Sequence, residues 1–531
     1  MLDDDSLLQI FGHYQLAEHQ NWNLRHTWRN LAQVCRRWRF LVFDSWLHLD
    51  MCLLLTINSP SMDTVNHLPP LPLVIDYSEQ SRTITPKDER NIHLALKQHD
   101  RVHRVTLQAP SSRMRVLLEP MDILFPRLED LSLVSTTIQD MNLMLPETLQ
   151  APYLRHLALR RIGLPKGLPL LSSTIALSSL SVTHIGASCY FPPGHLITHL
   201  PCLPHLEELT IGFAIPIPIP SSEQELLPPP IPPVTLPALR WLTFRGVDVY
   251  LDNLVAQINT PLLERLNVTL EFDLAYTLVN LAGFIRRTEG FECRFAKIDF
   301  RMKGGASMDT GHYRQHDPGK LILHVNCKPL DWQIDSAGQV CSALGTVVSI
   351  VEELTLGTDT FQLSSDWESR RDNTLWHELL LPFIGLKKLH VDSSLTLELG
   401  LALETAAGGS VLPELQEINA SLTTDRENEA FSVFVKTRES VGRPVQVPGL
   451  VLSVPDVSHA EPEVPSAEPV SDAEPEVPNA GPEVHHWHVD LKYTANSGRL
   501  YRSRAMNLIS IYQSFMQTQE QTFGSYDELR R

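Results

Sequence analysis

The chain has 531 residues, of which 20% are charged, and a formal net charge of −18 at pH 7. This length is enough for more than one domain and for a sizeable core. The acidic balance argues against a nucleic-acid-binding protein, because contacts with phosphates need clustered Lys and Arg.

Neither the cysteines nor the apolar runs indicate a secreted or membrane protein. The seven cysteines are scattered and include no Cys-x-x-Cys pair, which predicts reduced, mostly buried thiols and neither a disulfide framework nor a zinc site. No apolar run is long enough for a transmembrane helix, and the acidic start Met-Leu-Asp-Asp-Asp does not fit a secretory signal. We therefore expect a cytoplasmic or nuclear protein without membrane contact.

The first fifty residues predict two or three short helices. Aspartates at positions 3–5 suit a first helical turn, where acidic side chains cap free N–H groups and complement the helix dipole. A second helical stretch places apolar side chains at steps of three or four, namely Trp28, Leu31, Cys35, Trp38 and Val42. Fifty residues are too few to form a stable hydrophobic core by themselves. We therefore expect these helices to pack on the rest of the chain or on another protein.

This stretch resembles an F-box, over about residues 1–48. The resemblance is carried by segment 2–11, which ends in Ile10-Phe11, and by segment 31–41, which contains Val34-Cys35-Arg36-Arg37-Trp38. The family pattern is Leu-Pro, an acidic residue, apolar positions ending in Ile-Phe, and then Val-Cys-[Lys/Arg]-x-Trp. Here Asp3 replaces the proline, and the spacer from Phe11 to Val34 is longer than in the family.

The resemblance implies a helical module that binds the Skp adaptor of a cullin-based ubiquitin ligase. The protein would then be the substrate-recognition subunit of the ligase, with the cullin scaffold as a further partner. Carried over position by position, the candidate adaptor-binding residues are Leu2, Leu7, Leu8, Ile10, Phe11, Leu31, Val34, Cys35, Trp38 and Leu41. The alternative is that these residues form the first helices of the main domain.

A six-residue pattern of three apolar positions recurs through residues 49–440. The first two apolar residues are three positions apart, and the third follows after one residue. Eleven copies begin at Val102, Leu128, Leu154, Leu177, Leu206, Leu239, Leu263, Phe295, Val351, Leu386 and Leu415. The spacing of the copies varies, and a degenerate strand at 320–325 would fill the longest gap. This pattern predicts an α/β fold, an irregular leucine-rich-repeat-like solenoid with a parallel sheet. The alternative is a plain α/β domain with Leu-rich strands.

The residue between the last two apolar positions of each copy should face away from the core. These candidates for the binding of a target protein are mostly small or polar, namely Thr106, Ser132, Ala158, Ser181, Thr210, Thr243, Asn267, Asp299, Thr355, His390 and Asn419. With one formal acid and no Lys or Arg, this row does not suggest a phosphate or strongly acidic ligand. A repeat scaffold that binds a partner without any ligase is the second hypothesis.

The prolines mark two special segments. A Pro-rich stretch within 213–237 is predicted to be a long loop between repeats. Residues 441–484 are predicted to be a disordered linker, since 450–484 contain eight acidic residues and no Lys or Arg. Segment 485–531 could add a strand and a helix, and its histidines are interpreted as a surface cluster. No catalytic, cofactor or metal-binding constellation stands out, so we expect a binding protein and not an enzyme.

Overall fold

The computed structural model describes part of the chain. The described residues are 3–18, 27–45, 52–57, 59, 71–78, 83–137, 142–165, 167–214, 233–271, 276, 278–291, 293–301, 305–310, 319–327, 330–358, 373–405, 411–448 and 450. The chain divides into two compact units, Met1–Pro455 and Asp456–Arg531, and every described residue belongs to the first. Leu2, most of the Pro-rich loop, the predicted linker beyond 450 and segment 485–531 lie outside the described residues.

Three short helices open the first unit: α1 (Asp4–Glu18), α2 (Thr27–Val34) and α3 (Arg36–Asp44). The predicted second helical stretch is divided at Cys35, whose backbone is extended and whose Sγ accepts a hydrogen bond from the Trp38 N–H at 3.4 Å. Asp3 caps α1 as predicted, because its Oδ1 accepts a hydrogen bond from the Ser6 N–H at 2.7 Å. The hydrogen bonds from Ser6 also lower the pKa of Asp3.

The strands that follow are numbered in chain order. They are β1 (Leu53–Leu55), β2 (Leu73–Tyr77), β3 (Val102–Ala109), β4 (Asp130–Ser135), β5 (His156–Arg160), β6 (Ser179–Ile185), β7 (Glu208–Phe213), β8 (Val234–Thr235), β9 (Trp241–Gly246), β10 (Ile258–Asn259), β11 (Arg265–Glu271), β12 (Phe295–Arg301), β13 (Gly305–Thr310), β14 (Lys320–Asn326), β15 (Glu353–Thr358), β16 (Lys388–Val391) and β17 (Glu417–Ala420). Within the described part of the chain, fifteen of them form one sheet, while β8 and β10 pair separately.

The predicted repeat strands are confirmed. The last two apolar positions of each of the eleven patterns lie on a strand of the large sheet, and the degenerate strand expected at 320–325 is β14. Strands β1 and β2 were not predicted, because their buried runs Leu53–Leu55 and Leu73–Tyr77 lack the spacing of the pattern. Strand β13 was not predicted either. The fold is therefore mixed α/β with a large, mostly parallel sheet.

The order of the strands differs from a simple stack at one place. Parallel pairing follows the chain from β1 to β11, but β14 and not β12 is the next neighbour of β11. Strand β13 runs antiparallel to both β12 and β14, and β12 then pairs in parallel with β15. The alternation of apolar residues carries no information on strand direction. The sequence therefore did not reveal this antiparallel meander of β12, β13 and β14.

The meander also changes the register of β12. Ala296, and not Ile298, is paired with Leu354 of β15, so the predicted alignment is two residues off. A shift of two residues keeps each side chain on its face of the sheet. The buried residues of β12 therefore remain in the core.

Helices connect many of the strands and cover one face of the sheet. They are α4 (Pro86–Leu96), α5 (Ser111–Leu118), α6 (Pro169–Ser173), α7 (Pro193–His199), α8 (Asp248–Ala256), α9 (Val279–Arg287), α10 (Leu330–Ala343), α11 (Gly345–Val348), α12 (Asn373–Leu380), α13 (Thr396–Thr405) and α14 (Asp425–Ser440). Their unequal lengths agree with the variable repeat period. Along the strands, buried residues alternate with half-buried ones, so within the described part of the chain no helix covers the second face of the sheet.

The packed unit extends beyond the predicted boundary at residue 440. Val445 is buried, and the Gln446 N–H donates to the Gln416 carbonyl at 2.9 Å. The Ile418 N–H in turn donates to the Gln446 carbonyl at 2.8 Å. These two hydrogen bonds pair the segment with β17, so its first residues belong to the edge of the sheet and not to a linker.

Candidate protein-interaction surfaces

The F-box-like residues divide into a buried and an exposed set. Among the nine that the structure describes, Leu7, Phe11, Leu31 and Leu41 are buried, Leu8 and Trp38 are half-buried, and Ile10, Val34 and Cys35 are exposed. The rings of Phe11 and Trp38 meet edge to face with their centroids 4.8 Å apart. The buried set thus holds α1, α2 and α3 together, and the exposed set is open to a partner.

Among the side chains of this module that the structure describes, three large apolar ones are exposed. Ile10 is 47% exposed, Val34 60% and Phe40 68%. Phe40 was missed by the sequence reasoning, because it lies outside the stripe that begins at Trp28. Exposed apolar groups on a small helical module are typical of a protein-binding surface.

The uncovered face of the large sheet carries the predicted outward row. All eleven residues that were predicted to face away from the core are half-buried, whereas their apolar neighbours in the pattern are mostly buried. Thr106, Ser132, Ala158, Ser181 and Thr210 are matched in register from β3 to β7. One member needs correction: Asp299 lies opposite Gly357, and Lys297 takes the place opposite Thr355.

Several basic side chains on this face are paired with an acid. Described ion pairs on the face are Arg104–Asp130, Arg245–Glu271, Lys297–Asp299, Lys320–Asp309 and Lys388–Glu417, and His390 Nε2 lies 3.0 Å from a carboxylate oxygen of Glu353. The most buried acid among them is Glu271, which accepts from Arg245 through Nε at 2.6 Å and through Nη2 at 2.5 Å. These pairs leave large parts of the face close to neutral.

A basic cluster lies at the carboxyl ends of β5, β6 and β9. It consists of Arg160, Arg161, His184 and Arg245. Arg160 is matched in register with Thr183, the residue before His184, and Arg245 is matched with Gly212 of β7. Gly212 lies beside Thr183, so the row Arg160, Thr183, Gly212, Arg245 has arginines at its ends and small residues between them. Thr183 and Gly212 therefore form a shallow floor on the face of the sheet, and the cationic Arg160 and Arg245 lie at its two ends.

Burial and mutual repulsion lower the pKa values of basic groups in this cluster. Burial, followed by the charges of Arg161 and Arg245, lowers the pKa of Arg160 to about 10. Burial also lowers the pKa of Arg161. For His184, burial and then Arg160, Arg161 and Arg245 lower the pKa from 6.5 to about 3. At neutral pH His184 is therefore neutral, and after the pairing of Arg245 with Glu271 the positive charges of Arg160 and Arg161 remain.

The backbone at the cluster is left-handed at two residues that are not glycine. Arg161 has φ 58° and His184 has φ 56°. At both places two consecutive residues lie outside the core between buried ones, as in Leu159-Arg160-Arg161-Ile162. This conformation breaks the alternation of a strand, and it costs on the order of 1 kcal/mol for a residue with a Cβ.

Within the described residues, no group of three or more His, Cys, Asp or Glu side chains is placed to hold a metal ion. No described helix is both long and apolar enough to cross a membrane.

Neither the protein-family models nor the curated proteins searched match this chain. Among solved structures, the chain is similar to the leucine-rich repeat-containing protein LegL7 from Legionella pneumophila. The alignment has 12% sequence identity and a TM-score of 0.24, and it covers 75% of this chain and 100% of LegL7. A TM-score this low carries no argument, so the architecture rests on the strand register described above.

The basic cluster lies outside the row of residues that was predicted to face outward. That row takes the position between the last two apolar residues of each pattern, but the residue after the third apolar position faces the same way. That second row contains Arg160, Thr183 and Arg245. The arginines in this row were a sequence signal for a basic surface, whereas nothing in the sequence indicated the left-handed backbone at Arg161 and His184.

Proposed function

We propose that the protein is the substrate-recognition subunit of a cullin-based ubiquitin ligase. The helices α1–α3 would bind the Skp adaptor, and the uncovered face of the sheet would bind a target protein. The observation that carries this proposal is the exposure of Ile10 and Val34, because both belong to the F-box-like motif and both remain open to solvent in the folded unit.

The buried and exposed residues would have different roles. Phe11 and Leu31 would fix the helices relative to one another, and Ile10, Val34 and Phe40 would supply the apolar contact with the adaptor. Aliphatic and aromatic anchors on a helix face are the usual energetic centre of such an interface. Cys35 would act mainly through the cap that begins α3.

Ubiquitin transfer would need no catalytic side chain from this chain. A receptor that holds both the ligase and the target raises the effective concentration of the target near the ubiquitin-charged enzyme. The sheet suits this role because its long uncovered face is lined by small polar side chains. An extended face of this kind lets a folded protein or a peptide approach closely.

Adaptor binding by the full chain is the direct test. Purified Skp adaptor should bind the wild-type chain, and the double variant Ile10→Asp/Val34→Asp should lose binding, since a charge would replace each apolar contact. Val116→Asp is the matched control, because Val116 lies on α5 and has a similar exposure of 45%. Circular dichroism checks that all three proteins are folded. Failure of the wild type to bind, or retention of binding by the double variant, would reject the assigned interface.

A repeat scaffold without a ligase is favoured by a different observation. Leu7, Phe11, Leu31 and Val42 belong to the same continuous hydrophobic core as the strands. The helices could therefore serve as a cap that protects the open end of the repeats. If the chain without residues 1–48 aggregates while the full chain binds no adaptor, this function is the correct one.

A further inference from the structure

Among the described residues, Arg160 and Arg161 have no acidic partner. No described carboxylate pairs with either guanidinium, although five other basic side chains of the same face lie in described ion pairs. The Nε atoms of both arginines are buried and make no hydrogen bond within the described part of the chain. The Nη1 of Arg161 donates to the Ser135 carbonyl at 3.3 Å. Half-buried guanidinium groups that repel one another destabilise the folded chain unless an anion compensates them.

The strained backbone lies at the same place. The left-handed residues Arg161 and His184 lie side by side on neighbouring strands, because Arg160 and Thr183 are paired in register. Strain of this kind is retained where the arrangement serves a function. The cluster therefore combines two costs to stability, one from the repulsion of like charges and one from the left-handed backbone.

The floor between the arginines is formed by small residues. Arg160 and Arg245 lie three strands apart in the sheet, which corresponds to about 14 Å between their backbones. Thr183 and Gly212 lie between them, and Gly212 has no side chain to fill the space. In the adjacent outward row, Ala158 and Ser181 are also small. A peptide chain can lie along this face and place an acidic group between the guanidinium groups.

We propose that the cluster of Arg160, Arg161 and Arg245 binds an oxyanion, a carboxylate or a phosphate ester, carried by an extended segment of the target protein. The planar fork of a guanidinium group matches two oxygens of either anion, and such charge-assisted bonds are about twice as strong as neutral ones. The arriving anion neutralises the two uncompensated charges. The inference rests on the proposed use of the sheet face as the target-binding surface, and it does not depend on the adaptor.

Binding of labelled peptides to the full chain tests the site. One short peptide carries several glutamates, a second carries phosphoserines at the same positions, and a third carries glutamines. The wild type should bind one of the two anionic peptides and not the neutral one, and the preferred peptide identifies the anion. The double variant Arg160→Gln/Arg161→Gln should bind at least about tenfold more weakly, as expected when two charge-assisted hydrogen bonds are lost.

Matched variants separate the site from general charge effects. Lys388→Gln removes one positive charge from the same face, nine strands from β5 in the order of the sheet, and should change the affinity by no more than about twofold. Arg160→Lys keeps the charge without the fork and should recover part of the affinity. The thermal midpoint of the double variant should be equal to that of the wild type or higher, because like-charge repulsion is removed.

Two results would overturn the inference. One is equal affinity of the wild type and the double variant for both anionic peptides. The other is the absence of binding by the wild type to either peptide. Adaptor binding is measured on the same preparations and reports on α1–α3, so a failure of the anion site is distinguishable from a failure of the ligase function.

Discussion

Acidification is expected to destabilise the protein through His184. Burial and the charges of Arg160, Arg161 and Arg245 lower the pKa of His184 from 6.5 to about 3, so the folded state keeps the ring neutral at pH 5. The unfolded chain, in contrast, protonates this ring below pH 6.5. The stability linked to the neutral ring is therefore fully present above pH 6.5 and is lost as the pH falls toward 3.

The size of the effect follows from the two pKa values. Each pH unit below 6.5 costs up to about 1.36 kcal/mol, so the loss between pH 7.5 and pH 5 is about 2 kcal/mol. Because pH 5 lies well above the folded pKa, this figure depends almost entirely on the unfolded pKa. The sheet is therefore expected to respond to mild acidification.

Urea denaturation of the wild type and of His184→Asn at both pH values measures this loss. Asparagine tolerates the positive φ of residue 184 and does not titrate in this range. The free energy of unfolding of the wild type should fall by about 2 kcal/mol more than that of the variant. Other titrating groups act equally on both proteins and cancel in the difference. Identical pH dependence of the two proteins would refute the account of His184.

Two further predictions test the meander and the helical module. A Cβ on Gly319, which precedes β14 at φ 81°, would lie at 1.9 Å from the Gly290 carbonyl oxygen. Gly319→Ala should lower the thermal midpoint clearly more than Gly290→Ala, where φ is also positive but a Cβ has space; equal midpoints would contradict the placement of β14. Phe11→Ala should cost about 3–5 kcal/mol locally, since the ring is fully buried. Hydrogen exchange should then accelerate in α1–α3, and unchanged exchange there would contradict this packing.

The strands could be predicted from sequence because their signal is local. Leu131 and Leu133 of β4 are buried and Ser132 is not, and the same pattern recurs on nine of the ten other predicted strands, the exception being β17, where Ala420 is half-buried. The alternation records which face each side chain occupies, but not which strand is its neighbour. For this reason the pairing of β14 with β11 could not be read from residues 263–325. Pairing between distant segments depends on the fit of whole surfaces, which a six-residue pattern does not contain.

The candidate surfaces were predictable to a smaller extent. The F-box-like sequence motif indicated the helical module. Which of its residues are buried, as Phe11 is, or exposed, as Ile10 is, depends on how the three helices pack. Similarly, Arg160 and Arg161 are adjacent in the sequence, and both lie outside the core because the backbone at Arg161 is left-handed. Local sequence thus predicted where to expect a surface, while the packing decided which side chains it presents.

The distribution of charge gives the two halves of the sheet face different properties. Between β11 and β17, Lys320, Lys297 and Lys388 lie in ion pairs with acids of the same face. Between β5 and β9, Glu271 compensates Arg245 but no described acid compensates Arg160 or Arg161. A chain with a net charge of −18 therefore presents a local excess of positive charge, and an acidic segment that is repelled by most of the molecule would be attracted there. Repulsion elsewhere and attraction at one cluster together favour a single binding position on a long face.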